Sequence, residues 1–190
     1  MIAIIGRIAS GKSYLLNQMK KLGYKTFSCD EFVGQLYEKS SFFADQISLE
    51  ISSNLVVNGF VSKDKVKQWL LEENSNIFKL EDIIYPIIFT HLETHTYDFV
   101  EIPILLTKKW DFTSFFDITI NVVISEEKRQ KNLSIRNVDK YQRDFLNQKN
   151  KEISKENELF GKINIVNISY DNIETICENM EFISLIKQYL

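Results

Sequence analysis

The chain has 190 residues, of which 44% are hydrophobic and 26% are charged, and its formal net charge is −3. These values are ordinary for a globular protein of one well-buried domain. The small negative charge gives no reason to expect a nucleic-acid or anionic-membrane surface, and no apolar run is long enough to span a bilayer. Cys29 and Cys177 lie far apart and lack metal-type spacing, so we expect free thiols in a reducing cytosol. No signal-peptide pattern is seen at the start of the sequence, so we expect no secretory leader and a cytoplasmic location.

A complete phosphate-binding motif, G-x-x-x-x-G-K-S, occupies Gly6–Ser13. It follows the apolar run Met1–Ile5 and precedes the amphipathic stretch Tyr14–Leu22, which are the strand and the helix that the motif requires. Backbone N–H groups of such a loop, together with the helix N-terminus, bind phosphate groups. We expect Lys12 to reach the β- and γ-phosphates and Ser13 to ligate Mg²⁺. The motif therefore predicts binding of a nucleoside triphosphate.

Beyond this unit, strand-like runs alternate with helical patterns, which indicates an α/β fold with a central parallel sheet flanked by helices. Four further segments are apolar and short enough to be strands, namely Tyr24–Ser28, Tyr97–Ile102, Asp117–Ile124 and Lys162–Asn167. Pro103 is expected to stop the second of these. Ser125 is predicted to cap the helix after the third, and Asp171 to begin a C-terminal helix.

The long segment 31–96 is predicted to be mostly helical. Within it, Asn58–Val61 is predicted to form a turn, and Ser62 is the predicted N-cap of the next helix. His91 and His95 are four residues apart, but the acidic residue of an H-E-x-x-H metal site is missing, so a solvated helix face is the favoured interpretation. The absence of repeats and of Pro/Gly-rich linkers favours one domain.

A phosphate loop alone does not distinguish GTPases, motor ATPases and small-molecule kinases. The N-K-x-D and D-x-x-G motifs of GTPases are missing, and the chain lacks the length of a motor. Asp30 directly follows the second predicted strand, and the carboxyl ends of parallel strands line the ligand crevice. A carboxylate there can accept a proton from an attacking hydroxyl, and the same residue can also cap the next helix. This pattern favours a small-molecule kinase.

Further short motifs follow along the rest of the chain. Those that matter for classification are, in order, Gly6–Ser13, Ser28–Asp30, Gly59–Lys63, Leu80–Pro86, Glu101–Leu105, Asp117 with its strand, Arg136, Gln148 and Val166–Asn167. Their order and spacing resemble the dephospho-CoA kinase family, which phosphorylates the ribose 3′-hydroxyl of dephospho-CoA. The resemblance implies a P-loop kinase fold with a core of 1–30 and 97–190, a helical substrate-binding region at 31–96 and a lid at about 132–150.

The resemblance also implies roles for individual residues. Lys12, Asp30 and Arg136 would be catalytic: Asp30 would be the base, and the lid residue Arg136 would stabilise charge on the transferring group, although a surface arginine is an equal alternative. Ser13 and Glu101 would hold Mg²⁺, and a carboxylate at a strand end is costly unless it is paired or metal-linked. The residues implied to contact ATP are Gly6, Ala9, Ser10, Gly11, Lys12, Ser13, Tyr14 and, near the adenine, Asn167.

The implied partners are ATP and dephospho-CoA, with no nucleic acid and no membrane, and the chain would be a monomer or a weak homo-oligomer. Several positions depart from the family's pattern: Arg7 and Ala9 replace loop glycines, Gly34 an arginine, Tyr85 a histidine, Thr107 a glutamate, and Asn132 the first lid arginine. Ala9 adds a methyl group where a positive φ is expected. Two alternatives stay open: another P-loop nucleoside or nucleotide kinase, and a nucleotide-binding protein that has lost catalysis.

Overall fold

The structure, a computed structural model, describes residues 1–135, 161–176 and 178–190, which divide into two units. The first unit contains Met1–Ser28 and Thr96–Leu190, and the second contains Cys29–His95. Cys177, Arg136, Gln148 and the part of the predicted lid beyond residue 135 lie outside the described residues. Among the residues that are described, no helix has the length and apolar character needed to cross a membrane.

Short strands and helices follow one another along the described part of the chain. The strands are β1 Ile2–Gly6, β2 Thr26–Ser28, β3 Val56–Val57, β4 Phe60–Val61, β5 Phe99–Glu101, β6 Ile118–Val123 and β7 Ile165–Ser169. The α-helices are α1 Lys12–Lys21, α2 Cys29–Lys39, α3 Ser41–Ile47, α4 Lys63–Glu72, α5 Asn76–Thr94, α6 Glu126–Ile135, α7 Ile173–Ile176 and α8 Met180–Lys187. A π-helical turn, Ser48–Ser52, follows α3.

The first unit is built on a parallel sheet with the strand order β2-β5-β1-β6-β7. Every residue of β1 is buried, as expected of a parallel strand covered on both faces. Side chains from the sheet, α1, α7 and α8 form one hydrophobic core, which contains Ile2, Ile4, Leu15, Leu16, Met19, Phe99, Ile118, Ile120, Val122, Ile168, Ile173, Ile176, Phe182 and Ile186. The predicted central parallel sheet is confirmed.

β1 lies between β5 and β6. The strands that follow β1 in sequence are added on both of its sides, β2 and β5 on one side and β6 and β7 on the other. In open parallel sheets, such a switch in direction leaves a crevice at the carboxyl ends of the strands. The segment Arg7–Gly11 leaves β1 at this edge and leads into α1. The topology therefore places the predicted phosphate loop where a ligand crevice is expected.

The C-terminal boundaries differ from the prediction. The last strand runs over Ile165–Ser169 rather than Lys162–Asn167, because its parallel pairing with β6 continues to the pair Val123 and Ser169. Asp171 lies in a 3₁₀ turn, Tyr170–Asn172, that precedes α7, so it does not begin an α-helix directly. The Ser125 cap is confirmed, since its Oγ accepts a hydrogen bond from the Lys128 N–H at 3.4 Å.

The second unit contains a short hairpin between its helices. β3 and β4 pair antiparallel, and the connecting residues Asn58 and Gly59 have φ values of 53° and 80°. Two successive positive φ values are typical of the tight hairpin turn that Asn-Gly favours. The predicted turn Asn58–Val61 is therefore wrong for its last two residues, which form β4. The Ser62 cap is confirmed, because its Oγ accepts from the Lys65 N–H.

A groove with a volume of about 430 Å³ lies on the surface of the second unit. Its lining is mostly apolar and includes Phe32, Phe42, Pro86, Thr90 and His91. The His91 ring lies 4.5 Å from the Phe32 ring and 4.1 Å from the His95 ring, measured between centroids. Burial lowers the pKa of His91, and the charge of His95 adds to this effect. The predicted solvated face holds for His95, whereas His91 is half-buried.

Candidate active site

Glycines at both ends of the phosphate loop are required by close contacts. A Cβ atom on Gly6, whose φ is 147°, would lie 2.6 Å from Ser10 Oγ and 2.7 Å from the Val122 carbonyl oxygen. A Cβ atom on Gly11, whose φ is 100°, would lie 2.6 Å from the Tyr170 ring. No ordinary side chain fits at either position, so the conformation of the loop depends on both glycines.

The middle of the loop is buried and internally bonded. Ala9 has a φ of 65°, which confirms the positive φ expected there, and it is 5% exposed. The Asn132 Nδ2 donates to the Ala9 carbonyl at 3.0 Å, and the Ser10 N–H donates to the Arg7 carbonyl at 3.0 Å. Ser10 is fully buried, and its Oγ has no hydrogen-bond partner among the described residues.

Lys12 is the first residue of α1, and its side chain is buried against the loop. Its Nζ donates to the carbonyl oxygens of Gly6 at 3.1 Å and Arg7 at 3.3 Å. The first turn of α1 contains no acidic residue, so nothing there cancels the partial positive charge of the helix N-terminus. The ammonium group and the helix N-terminus together suit an anion with several charged oxygens.

Glu101 ends β5 and is buried, with 4% of its surface exposed. The Ser13 hydroxyl donates to Oε1 at 3.0 Å, and the Ser28 hydroxyl donates to Oε2 at 3.2 Å. The sheet register produces this network, because Glu101 lies opposite Ile4 of β1 on one side and Ser28 of β2 on the other. Both carboxylate oxygens accept hydrogen bonds, which offsets the cost of burying the charge.

Ser13 and Glu101, the two residues expected to hold Mg²⁺, are thus brought together. Their donor set consists only of hydroxyl and carboxylate oxygens, which are the ligands that this hard cation prefers. The described part of the chain contains no group of three or more His, Cys, Asp or Glu side chains that could hold a metal ion. A magnesium ion here would complete its coordination with phosphate oxygens and water, as is usual in phosphoryl-transfer sites.

Asp30 is the second residue of α2, and its side chain is exposed. It follows Ser28, the last residue of β2, by two positions and belongs to the second unit. Within that unit, burial raises the pKa of Tyr85, and interactions with Glu81 and the charge of Asp30 add to the effect. The Tyr85 hydroxyl, at the position where the resemblance implies a histidine, therefore interacts electrostatically with Asp30.

The remaining predicted site residues occupy different places. Asn167 lies in the middle of β7 rather than at its predicted end, and its Oδ1 accepts from the Asn121 Nδ2 at 2.9 Å. Tyr14 lies in the first turn of α1 with an exposed side chain. Arg136 lies outside the described residues. Tyr170, the first residue after β7, is the aromatic residue that packs against Gly11.

Sequence reasoning missed three residues of the site, namely Ser28, Asn132 and Tyr170. Ser28 could have been found, because it ends the strand next to the one that ends in Glu101. Asn132 was noted only as a missing arginine, since nothing local indicates a hydrogen bond to a residue 123 positions earlier. Tyr170 could have been identified only after the end of β7 was known.

Comparison with known proteins points to one family. The model of the dephospho-CoA kinase family matches residues 1–170. A dephospho-CoA kinase of Rickettsia typhi is 31% identical over 141 residues, which cover 67% of each chain. One of Fusobacterium nucleatum is 28% identical over 187 residues, which cover 95% of each chain.

A solved dephospho-CoA kinase structure from Campylobacter jejuni shares the fold. It superimposes with a TM-score of 0.59 at 18% identity, covering 98% of this chain and 95% of the other. The fold similarity, the family match over most of the chain and the phosphate loop with its buried carboxylate lead to one assignment. The chain belongs to the dephospho-CoA kinase family.

Proposed function

We propose that this chain transfers the γ-phosphoryl group of ATP to the 3′-hydroxyl of dephospho-CoA, giving CoA and ADP in the last step of CoA biosynthesis. The observation that carries the proposal is the buried Glu101, hydrogen-bonded to Ser13 directly after the phosphate-loop lysine. Family membership supports the substrate. In the transfer, the bond between O3′ and Pγ forms, and the bond between Pγ and the β–γ bridging oxygen breaks.

Lys12 and the loop amides would hold the triphosphate. The ammonium group of Lys12 contacts two neutral carbonyl oxygens. Phosphate oxygens carry a negative charge that carbonyl oxygens lack, so Coulomb attraction lets them compete effectively for this group. The residues Gly11 to Tyr14 then provide N–H groups at the start of α1, and this fixed array would stabilise charge developing on the transferring group.

Ser13 and Glu101 would hold Mg²⁺, which when bound neutralises charge on the β- and γ-phosphates. Ser28 keeps the Glu101 carboxylate oriented through its own hydrogen bond. Binding through oxygen ligands that are already positioned costs less than ordering flexible side chains. In this proposal, the serine at the start of α1 and the carboxylate at the end of β5 work as one cation-binding pair.

Asp30 would accept the proton of the 3′-hydroxyl as that oxygen attacks phosphorus. Its exposed carboxylate is available to a substrate, and it follows β2 by two residues. Arg136 would stabilise the transferring group from the lid. We further propose that the two units act as one kinase domain, in which the helical region 31–96 binds dephospho-CoA and Asn167 lies on the side of the adenine.

A second candidate is a nucleotide-binding protein without transferase activity. It is favoured by Asn132, which stands where the family has a lid arginine and carries no charge for the transition state. Its amide group is instead bonded to the Ala9 carbonyl. The intact set of Lys12, Ser13, Asp30 and Glu101 favours an active enzyme over this candidate.

The proposed partners are small molecules, namely ATP and dephospho-CoA, with no nucleic acid and no membrane. We also propose a cytoplasmic location and a monomeric or weakly self-associating state. Sedimentation of the purified protein across a range of concentrations measures the oligomeric part of this proposal.

The test is an ADP-release assay with Mg·ATP, run with dephospho-CoA, with a panel of nucleosides and nucleotides, and with no acceptor. We expect ADP release only with dephospho-CoA, and mass spectrometry should detect a product one phosphoryl group heavier. Turnover with a nucleoside instead would identify another P-loop kinase. ATP binding without turnover on any acceptor would support the binding protein.

A further inference from the structure

Three departures from the family's pattern meet in one set of contacts. Arg7 and Ala9 lie in the phosphate loop, and Asn132 lies near the end of α6. We propose that Asn132 is a positioning residue that, with support from the Arg7–Glu126 ion pair, holds the loop in the conformation that binds the triphosphate. This inference rests on the proposed binding of a triphosphate at the loop.

The peptide unit between Ala9 and Ser10 is held at both of its polar atoms. Its carbonyl oxygen accepts from the Asn132 Nδ2 at 3.0 Å, and its N–H donates to the Arg7 carbonyl at 3.0 Å. These two bonds fix the orientation of one peptide plane, and with it the ψ angle of Ala9. Because Gly11 and the first N–H groups of α1 follow directly, this plane sets their direction.

Ala9 is the residue that needs such support. Its φ of 65° is in the left-handed region, which a residue with a Cβ atom adopts only at a cost. A glycine at this position would adopt the same φ without that cost. The carbonyl of Ala9 has its partner on a different element, α6, so the conformation is maintained by a tertiary contact.

A second contact between the same elements lies two residues earlier in the loop. The Arg7 Nη1 lies 3.0 Å from the Glu126 Oε2, at the start of α6. Glu126 is itself held by Arg129, whose Nη2 and Nε donate at 2.8 and 3.1 Å and whose side chain is 1% exposed. Gln130 adds a further hydrogen bond to Glu126 at 2.7 Å. The loop is therefore bonded to the start of α6 through Glu126 and to a later turn of the same helix through Asn132.

The experiment compares Asn132→Ala and Asn132→Asp with the wild type. Both variants remove the donor, and Asn132→Asp keeps the size of the side chain while it turns a carboxylate oxygen toward the Ala9 carbonyl. The matched control is Ser134→Ala, on the same helix, whose hydroxyl donates only locally to the Lys131 carbonyl. The measurements are hydrogen exchange of the Ser10 amide without nucleotide, and the Kd of Mg·ATP by calorimetry.

We expect faster Ser10 exchange in both variants and an ATP Kd about fivefold weaker for Asn132→Ala, as for the loss of one hydrogen bond. Asn132→Asp should bind ATP more weakly still, and Ser134→Ala should match the wild type in both Ser10 exchange and the Kd of ATP. The KM for ATP should rise while the KM for dephospho-CoA stays constant, a split that general destabilisation would not produce.

Unchanged Ser10 exchange in both variants would overturn the positioning role, even if the wild type binds ATP and transfers phosphate as proposed. A wild type that binds no ATP would overturn the proposed function, and this inference with it. The exchange data and the wild-type titration therefore separate the two failures.

Discussion

The two units of the protein differ in how they use polar and apolar groups. At the carboxyl edge of the sheet in the first unit, the buried Glu101 carboxylate accepts hydrogen bonds from the buried Ser28 and the exposed Ser13. The second unit carries a mostly apolar groove on its surface, and Phe42, one of its lining residues, is 68% exposed. A bonded network in a poorly solvated site rearranges at high cost, whereas apolar contacts are non-directional and do not require one fixed geometry.

Under the proposed function, the bonded network of the first unit binds the phosphate groups and the apolar groove of the second unit contributes to binding the acceptor. Variants in the first unit should then affect ATP, Mg²⁺ and the chemical step. Variants in the second unit should affect either proton transfer to Asp30 or the KM for dephospho-CoA.

The largest effect is expected for Lys12→Ala in the first unit. Removing the ammonium group should lower kcat by more than about 10³-fold, because the transferring phosphoryl group loses a cation that stabilises its charge. Steady-state ADP release measures this loss, and Lys20→Ala, at the exposed end of the same helix, is the control. Retained turnover in Lys12→Ala would contradict the assignment of Gly6–Ser13 as the triphosphate-binding loop.

Asp30→Asn tests the second unit's contribution to chemistry. We expect kcat to fall by about 10²- to 10⁴-fold, the range for loss of a general base. The Kd of ATP should stay near that of the wild type, since Asp30 is not part of the loop. Glu31→Gln, an adjacent exposed carboxylate, is the control. Full turnover in Asp30→Asn would show that another group takes the proton.

Glu101→Gln and Ser28→Ala form a graded pair in the first unit. Glu101→Gln should lower activity about 10- to 100-fold and raise the Mg²⁺ concentration needed for half-maximal rate. Ser28→Ala keeps the carboxylate and removes one hydrogen bond to it. Its loss of activity and its increase in the Mg²⁺ concentration for half-maximal rate should therefore be smaller. Magnesium titrations of the rate measure both, and equal Mg²⁺ dependence in all three proteins would contradict the cation role.

Thr90→Trp fills the groove of the second unit. Thr90 is exposed and lines the groove on α5. If the groove contributes to acceptor binding, the KM for dephospho-CoA should rise about tenfold, or about 1.4 kcal/mol, while the KM for ATP stays constant. Glu93→Trp, exposed on the same helix, adds the same bulk elsewhere. A rise in the KM for both ATP and dephospho-CoA would contradict the idea that the second unit acts on the acceptor alone.

The smallest effect concerns the anchor of α6 in the first unit. Hydrogen bonds from Arg129 and Gln130 lower the pKa of Glu126 to about 2, with smaller contributions from the charges of Arg129 and Arg7. A carboxyl pKa lowered on folding contributes stability that is present above about pH 4.5 and lost as the pH falls toward 2. The gain is modest because the group is exposed.

Glu126→Gln should therefore lower the Tm by a few degrees at pH 7 and flatten its decline between pH 4.5 and 2.5. Circular dichroism melts at several pH values measure this, with Glu127→Gln as the control. An acid decline in Glu126→Gln as steep as in the wild type would show that other carboxyl groups cause it.

The sequence predicted the features that depend on local backbone chemistry. Gly6–Ser13, the strand Ile118–Val123 and the caps Ser62 and Ser125 were identified because their signals lie within a few neighbouring residues. The pairing of Ser13 with Glu101 was implied by the family resemblance, and it agrees with the rule that parallel strands end at one edge of a sheet.

What the sequence did not reveal depends on tertiary contacts. The end of β7 is set by its register with β6, so the predicted bounds were shifted. The role of Asn132 depends on where α6 passes the loop, and its departure from the family's arginine indicated only a lost charge. The half-buried state of His91 likewise results from its packing against Phe32.

The most direct test of the central claim is to locate the phosphate on the product. Enzyme, Mg·ATP and dephospho-CoA would be incubated to completion, and the product analysed by two-dimensional ¹H–³¹P correlation NMR. The account predicts a new phosphomonoester coupled to the ribose H3′ proton, formed in equal amount to ADP. A phosphate on any other position, or ADP formed with dephospho-CoA unchanged, would contradict it.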